Sequence, residues 1–146
     1  MATSTFLGNA TISVLSNAGG ATSVDLSDQA SSCQITVGRR ALPVTAFGDQ
    51  GERNAPGLKF WEASIDLFLS YGAGEVEATV YDIVNSGGFT MTVSPSGTTE
   101  SASNPEYTLS YGFVEGFEPI MSTVGEISVL SFSAVGGEWS RDITAP

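Results

Sequence analysis

Alternation of apolar and polar residues runs through most of the chain and predicts a protein built mainly from strands. Successive side chains of a strand point to opposite faces, so a two-residue period marks a strand with one buried face. This period occurs in seven short segments, at residues 10–14, 24–26, 33–37, 63–70, 89–94, 107–113 and 126–134. In the last segment the phase changes between Val129 and Leu130, which predicts a bulge or a strand covered on both faces.

One segment has a helical period instead. Its apolar residues recur at positions i, i+4, i+7 and i+8: Val76, Val80, Ile83 and Val84. This spacing places them on one face of an amphipathic helix, and the glycines within 85–88 supply a left-handed cap at its end. We therefore expect a mainly β fold, a β-sandwich or half-barrel of about seven strands with one flanking α-helix. It forms a single domain over residues 1–146, in which residues 1–20 have no assigned role.

Segment 38–59 lies between the third and fourth predicted strands and has no clear period. It contains two prolines and four glycines, so we expect a long inter-strand loop. The chain has a net charge of −11, with 16 acidic and 5 basic residues, yet this segment holds four of the five cations. They are Arg39, Arg40, Arg53 and Lys59. The overall acidity disfavours binding to nucleic-acid phosphates.

The composition excludes several kinds of chemistry. The chain has no histidine, which rules out serine–histidine and cysteine–histidine catalysis and histidine-based zinc sites within one chain. Cys33 is the single cysteine and cannot form an internal disulfide; its apolar strand phase predicts a buried thiol. We find no phosphate-binding loop and no apolar run of about 20 residues. We therefore expect no cofactor, no metal and no membrane partner.

Some weaker chemical interpretations stay open. Carboxylate pairs could support glycoside hydrolysis, and the candidates are Glu115 with Glu118 and Glu62 with Asp66. Trp61 and Trp139 could line a sugar site, although packing is the more ordinary role for tryptophan. The two acids of segment 25–28 are weak evidence for calcium, and a capped turn explains them better.

Residues 45–61, TAFGDQGERNAPGLKFW, resemble a stretch of the major tail proteins, or tail tube proteins, of long-tailed siphovirus phages. The matching residues are Thr45, Ala46, Gly48, Asp49, Gly57, Leu58, Lys59 and Trp61. Further similar stretches follow the same order along the chain: VDLSD at 24–28, the helix at 74–84, SNPEY at 103–107 and STVGEISVLS at 122–131. The resemblance covers about residues 22–143.

The resemblance implies a structural protein and not an enzyme. Such subunits form hexameric rings that stack into a tube, which carries DNA from the capsid into the host without binding it specifically. The tube belongs to the virion tail, is assembled in the host cytoplasm and meets other tail proteins at its ends. The resemblance implies that segment 38–59 reaches a neighbouring ring.

From this resemblance and from the cation cluster we expect a set of contacts between subunits: Arg39, Arg40, Asp49, Arg53, Gly57, Leu58, Lys59 and Trp61. Polar strand phases suit a water-filled lumen, and the candidates for its lining are Ser64, Asp66, Thr90, Thr92, Thr108 and Ser110. Two alternatives to the tube subunit stay open. One is a monomeric β-sandwich that binds carbohydrate or a receptor, and the other is a tail-end ring protein of the same fold.

Overall fold

A computed structural model describes residues 10–16, 23–96, 99–120 and 123–144. These residues form seven strands and one helix: β1 (Thr11–Ser16), β2 (Val24–Asp25), β3 (Ala30–Pro43), β4 (Asn54–Phe68), α1 (Val76–Asn85), β5 (Phe89–Ser94), β6 (Glu106–Phe117) and β7 (Val129–Asp142). The predicted mainly β fold with one helix is confirmed. Of the N-terminal segment 1–20, only residues 10–16 are among those described.

All seven strands belong to one antiparallel sheet in the order β2-β1-β5-β6-β7-β4-β3. A flat sheet of this size would separate β2 from β3 by about 29 Å. Only residues 26–29 connect these two edge strands, and so short a link spans at most about 18 Å. The sheet must therefore curl, as in a half-barrel.

The connecting turn ties the two ends of the curled sheet together. The Leu26 N–H donates to the Ile12 carbonyl of β1 at 2.9 Å, and the Phe68 N–H of β4 donates to the Gln29 carbonyl at 2.8 Å. The side chain of Ser27 adds a further link, because its Oγ accepts from the Ile12 N–H at 2.9 Å. The predicted turn at 25–28 thus joins the two ends of the curled sheet.

The core lies inside the curl and under α1. The helix buries Val76, Val80 and Ile83 against the sheet, with contacts to β1 and β6. Gly87 follows the helix with a φ of 78°, which confirms the predicted left-handed cap. Among the described residues, no helix has the length and apolar character that crossing a membrane requires.

Two features of the sequence prediction differ from the structure: the long loop at 38–59 and the phase change within the last strand. Segment 38–59 is not one long loop, because β3 continues to Pro43 and β4 begins at Asn54. The phase change predicted for the last strand has a simpler cause than a bulge in it. Ile127 lies before β7 and is exposed, whereas Leu130 and the alternate residues after it are buried. The extra residue at this pair of strands belongs to β6, between Val114 and Gly116.

Candidate functional site

Residues 38–60 form a two-stranded projection that we call the arm. Pairing between β4 and β7 stops at Trp61 and Gly136. Beyond that point β4 pairs with β3 alone, as far as Pro43 opposite Asn54. The arm therefore leaves the half-barrel as a two-stranded hairpin, in which β3 and β4 pair only with each other among the described strands.

Side chains from the sheet hold the base of the arm. The Trp139 Nε1–H of β7 donates to the Gly38 carbonyl at 3.0 Å, and Lys59 Nζ donates to the Trp139 carbonyl at 3.3 Å. Lys59 Nζ also lies 4.9 Å from the centre of the Trp139 ring. These contacts with β7 fix the direction in which the arm projects. Within the arm itself, Arg40 stacks 4.1 Å above Phe60.

The tip of the arm is an ordered turn built by the TAFGD motif. Asp49 accepts the Ala46 N–H at 2.8 Å and pairs with Arg53 at 3.3 Å, while Thr45 Oγ1 accepts the Arg53 N–H at 3.0 Å. Gly48 has a φ of 93°, a conformation that favours glycine. The turn holds the intervening Phe47 outward, where its side chain is fully exposed, at 108%.

The residues predicted to contact other subunits fall into two groups. Arg39, Arg40, Arg53 and Leu58 lie exposed on the arm, and Leu58 is 84% exposed. Of these, Arg40 and Arg53 also have partners within the arm, Phe60 and Asp49. The others serve the arm itself: Asp49 and Lys59 as described above, and Gly57, where a Cβ would lie 2.8 Å from the Arg40 carbonyl oxygen.

Trp61 does not belong to a subunit contact, and that prediction was wrong. Its indole is fully buried and lies over Gly112 of β6 and Gly136 of β7, where an added Cβ would approach the ring to 2.4 Å. Its Nε1–H donates to the Ser110 carbonyl at 3.0 Å. Tyr111, which follows Ser110 in the chain, has a φ of 54° at the irregularity in the pairing of β5 with β6. Trp61 is thus the central core residue at the root of the arm.

The six predicted lumen residues alternate with core residues along their strands. Ser64 and Asp66 flank Ile65, Thr90 and Thr92 flank Met91, and Thr108 and Ser110 flank Leu109, all three of which are buried. By this alternation they lie on the face of the sheet away from the core and α1, which we call the polar face.

Acidic groups mark the polar face. A shallow hollow of about 330 Å³ is lined by Glu62 of β4 and Glu115 of β6, with Ser64 and Ser133 between them. Asp66, further along β4, accepts a hydrogen bond from Ser131 Oγ at 2.6 Å. No Lys or Arg lines this hollow among the described residues, so the face is negatively charged there.

Besides those on the arm, exposed apolar side chains lie at the opposite end of the sheet, in the connection from β6 to β7. Ile120, Val124 and Ile127 are 83%, 102% and 79% exposed. Val124 occupies a turn that is closed by the Glu126 N–H donating to the Thr123 carbonyl at 3.1 Å. We define the β6–β7 surface as these three apolar residues together with Glu118 and Glu126, both exposed.

The sequence interpretation missed Phe47 and Val124, although both carry the same signal. Each apolar residue directly precedes a glycine with positive φ, Gly48 at 93° and Gly125 at 85°. A tight turn of this kind projects the preceding side chain into solvent, since it has no neighbouring strand to cover it. An apolar residue before a turn glycine, outside any alternating segment, therefore predicts an exposed apolar side chain.

The cysteine and the two tryptophans lie where the chemical roles considered from the sequence do not fit them. Cys33 is exposed on the outer strand β3, so the expected burial of its side chain was wrong. Although the residue is exposed, protein atoms around the sulfur desolvate it and raise the pKa of its thiol to about 11, so the thiolate is scarce at neutral pH. Trp61 is buried and Trp139 anchors the arm, so neither is an open sugar platform. The described residues contain no cluster of three or more His, Cys, Asp or Glu side chains suited to a metal ion.

No protein-family model matches the sequence, and no curated protein matches it. Solved structures do share the fold. The SPP1 tail tube has a TM-score of 0.69 at 12% identity, over 94% of this chain and 78% of that one. The tail of the empty gene transfer agent particle, refined with C6 symmetry, has a TM-score of 0.64 at 11% identity, over 92% and 95%. The sheath–tube complex of an extracellular contractile injection system has 0.59 at 12% identity, over 93% and 89%. The chain has the fold of tail tube proteins.

Proposed function

We propose that the chain is a structural subunit of a phage tail tube and not an enzyme. The observation that carries this proposal is the outer edge of β3, which is 14 residues long and has no strand partner among the described residues. A long open edge invites pairing with another chain, and proteins that stay monomeric shorten or block such edges. In the proposed tube this edge pairs with a neighbouring subunit.

A second open edge supports closure into a ring. Pairing between β5 and β6 ends at Phe89 and Gly112, so residues 113–117 of β6 have no β5 partner in the described chain. Two different edges on one subunit allow a head-to-tail contact, and such contacts close into a ring when the rotation permits. We infer a hexamer, because one tail of the same fold was refined with C6 symmetry.

In this ring the polar face lines the lumen. Its lining includes Ser64, Asp66, Thr90, Thr92, Thr108 and Ser110, together with the acidic hollow between Glu62 and Glu115. A negatively charged lining repels DNA phosphates, so DNA passes into the host without binding. The subunit then belongs to the virion tail, is assembled in the host cytoplasm, and meets other tail proteins at the tube ends.

Electron microscopy of the purified protein at high concentration tests the assembly. Stacked rings with sixfold symmetry and a central channel are the expected result. Particles that stay monomeric even with a tail-tip initiator complex contradict the proposal and favour a monomeric binding module. Single rings that never stack favour a tail-end ring protein instead.

The lumen assignment has its own test. Replacing Glu62 and Glu115 by lysine places cations in the channel, so assembled tubes should retain DNA in a salt-dependent manner. The matched control replaces Glu77 and Asp82 of α1 by lysine, which makes the same charge change on the opposite side of the sheet. Equal DNA retention by the two kinds of tube would show that the polar face does not line the channel.

A further inference from the structure

The arm and the β6–β7 surface lie at opposite ends of the same strands. Pro43 pairs with Asn54 at the arm end, whereas Phe68 pairs with Val129 at the other end, where β6 leads into the β6–β7 surface. Strand β4 has 15 residues and alone spans about 45 Å. The two surfaces of one molecule therefore cannot touch each other.

These distant surfaces are complementary in charge. The arm exposes Arg39, Arg40 and Arg53, whereas the only cation outside segment 38–59 is Arg141. The β6–β7 surface exposes Glu118 and Glu126. In a chain of net charge −11, the cations are concentrated at the one end where an acidic partner can meet them.

The surfaces are also both apolar. The arm exposes Leu42, Val44, Phe47 and Leu58, at 50%, 53%, 108% and 84%. On the β6–β7 surface Ile120, Val124 and Ile127 are exposed to a similar degree. Groups of exposed apolar side chains bordered by charges are typical of a binding site for another protein.

We propose that the arm of one copy docks on the β6–β7 surface of a second copy in the next ring. This rests on the proposed function and names the acceptor for the arm. Phe47 and Leu58 pack against Val124 and Ile127, and the arginines face the two glutamates. The contact joins unlike ends of identical subunits, so it does not close on itself and extends the stack ring by ring.

The turns that present these residues are already ordered in the single chain. The Asp49 and Thr45 bonds hold the arm tip, and the Thr123–Glu126 turn holds Val124. A contact between preformed turns orders fewer side chains on binding, which lowers its entropic cost. Binding free energy is thus available for stacking rather than for folding the loop.

Charge exchange tests the docking. Arg39→Glu with Arg40→Glu brings like charges together, and so does Glu118→Arg with Glu126→Arg; each pair should raise the concentration needed for tube formation by about tenfold or more. The four changes combined restore opposite charges and should return it to near the wild-type value. The control, Glu77→Arg with Asp82→Arg on α1, makes the same charge change as Glu118→Arg with Glu126→Arg but away from both surfaces, and should have no effect.

The outcomes separate this inference from the proposed function. If wild-type protein forms no rings or tubes, the proposed function fails. If wild-type tubes form but reversal of either surface leaves them unchanged, or the combined variant is as defective as the worse pair, the docking is wrong while the tube subunit stands. Circular dichroism confirms that each variant is folded.

Cross-linking provides a second, direct measurement. In a Cys33→Ser background, Phe47→Cys with Val124→Cys should give a ladder of linked chains in oxidised tubes. Phe47→Cys with Val84→Cys, which places the second thiol on the exposed side of α1, should give none. A ladder from the control pair alone would overturn the docking.

Discussion

Replacing Gly136 by alanine should displace the indole of Trp61, the core residue at the root of the arm. A Cβ at Gly136 would lie 2.4 Å from both Cε2 and Nε1 of the indole. Ordinary contacts between such atoms are about 3.5–4.0 Å, so the ring must move by more than about 1 Å. It has no free space to enter, because the side chain is fully buried and also covers Gly112.

The expected cost follows from two contributions. Overpacking a core position costs about 1–3 kcal/mol. Movement of the ring also weakens the 3.0 Å bond from Nε1 to the Ser110 carbonyl, and a buried N–H that loses its partner costs about 1–3 kcal/mol more. Gly136→Ala should therefore lower the free energy of unfolding by about 2–6 kcal/mol, out of the 5–15 kcal/mol typical of a domain.

Urea unfolding of the monomer, followed by circular dichroism, measures this loss. The midpoint should fall by about 1 M or more. The adjacent Gly137 is a matched control, because a Cβ there would meet nothing within 4 Å. Gly137→Ala should leave stability unchanged or raise it by up to about 1 kcal/mol, since alanine restricts the unfolded chain.

A double-mutant cycle with Trp61→Phe isolates the clash, since phenylalanine lacks the indole nitrogen that meets the new Cβ. The combined variant should be more stable than the sum of the single changes predicts, by about 1 kcal/mol or more. Equal effects of Gly136→Ala and Gly137→Ala, or strict additivity in the cycle, would refute the reasoning.

Three other predictions concern the arm, a loop and a carboxyl group. Trp139→Phe removes the bond to the Gly38 carbonyl and should speed tryptic cleavage within the arm, as limited proteolysis can measure, with little change in the unfolding midpoint. Asn104 is buried and its side chain bonds to Ser94, Ser96 and Thr99, so Asn104→Ala should cost about 2–3 kcal/mol in urea unfolding. Desolvation, followed by the neighbouring Glu100 and Asp142, raises the pKa of Glu106. The folded state thus holds this proton more tightly, and stability falls as pH rises through the carboxyl range. Glu106→Gln should therefore raise the melting temperature at pH 7, and the gain should disappear at acidic pH.

Sequence periodicity predicted the part of the fold that buries apolar residues. All seven strands and the helix were located, because in each of them one face packs on the core and the other does not. The same reasoning failed for the arm strands. Leu42 and Leu58 are exposed, and the arm presents no buried face in the single chain, so no two-residue period exists there to detect. The sequence left a β-sandwich and a half-barrel open, because the curl of the sheet depends on hydrogen bonds from the 26–29 turn to strands distant in sequence.

The resemblance supplied the candidate contacts but could not divide them by location. Within GLKFW, alternate residues have opposite roles: Gly57 and Lys59 serve the arm's own packing, and Trp61 continues that side into the core, whereas Leu58 points into solvent. The motif therefore mixes residues that pack within the subunit with an exposed residue that we propose contacts another subunit. Only burial separates them, and burial depends on the glycines of β6 and β7.

The two tryptophans at the root of the arm affect assembly as well as folding. The core residue Trp61 and the arm anchor Trp139 both lie at the root of the arm, so they set its direction relative to the sheet. Residues 54–60 of β4 carry the arm about 23 Å beyond its root, so a rotation of about 10° there displaces the tip by about 4 Å. Changes at the root should then impair stacking far more than their effect on subunit stability implies. Changes at Phe47 should impair stacking with no effect on stability, because its side chain contacts nothing that it would lose.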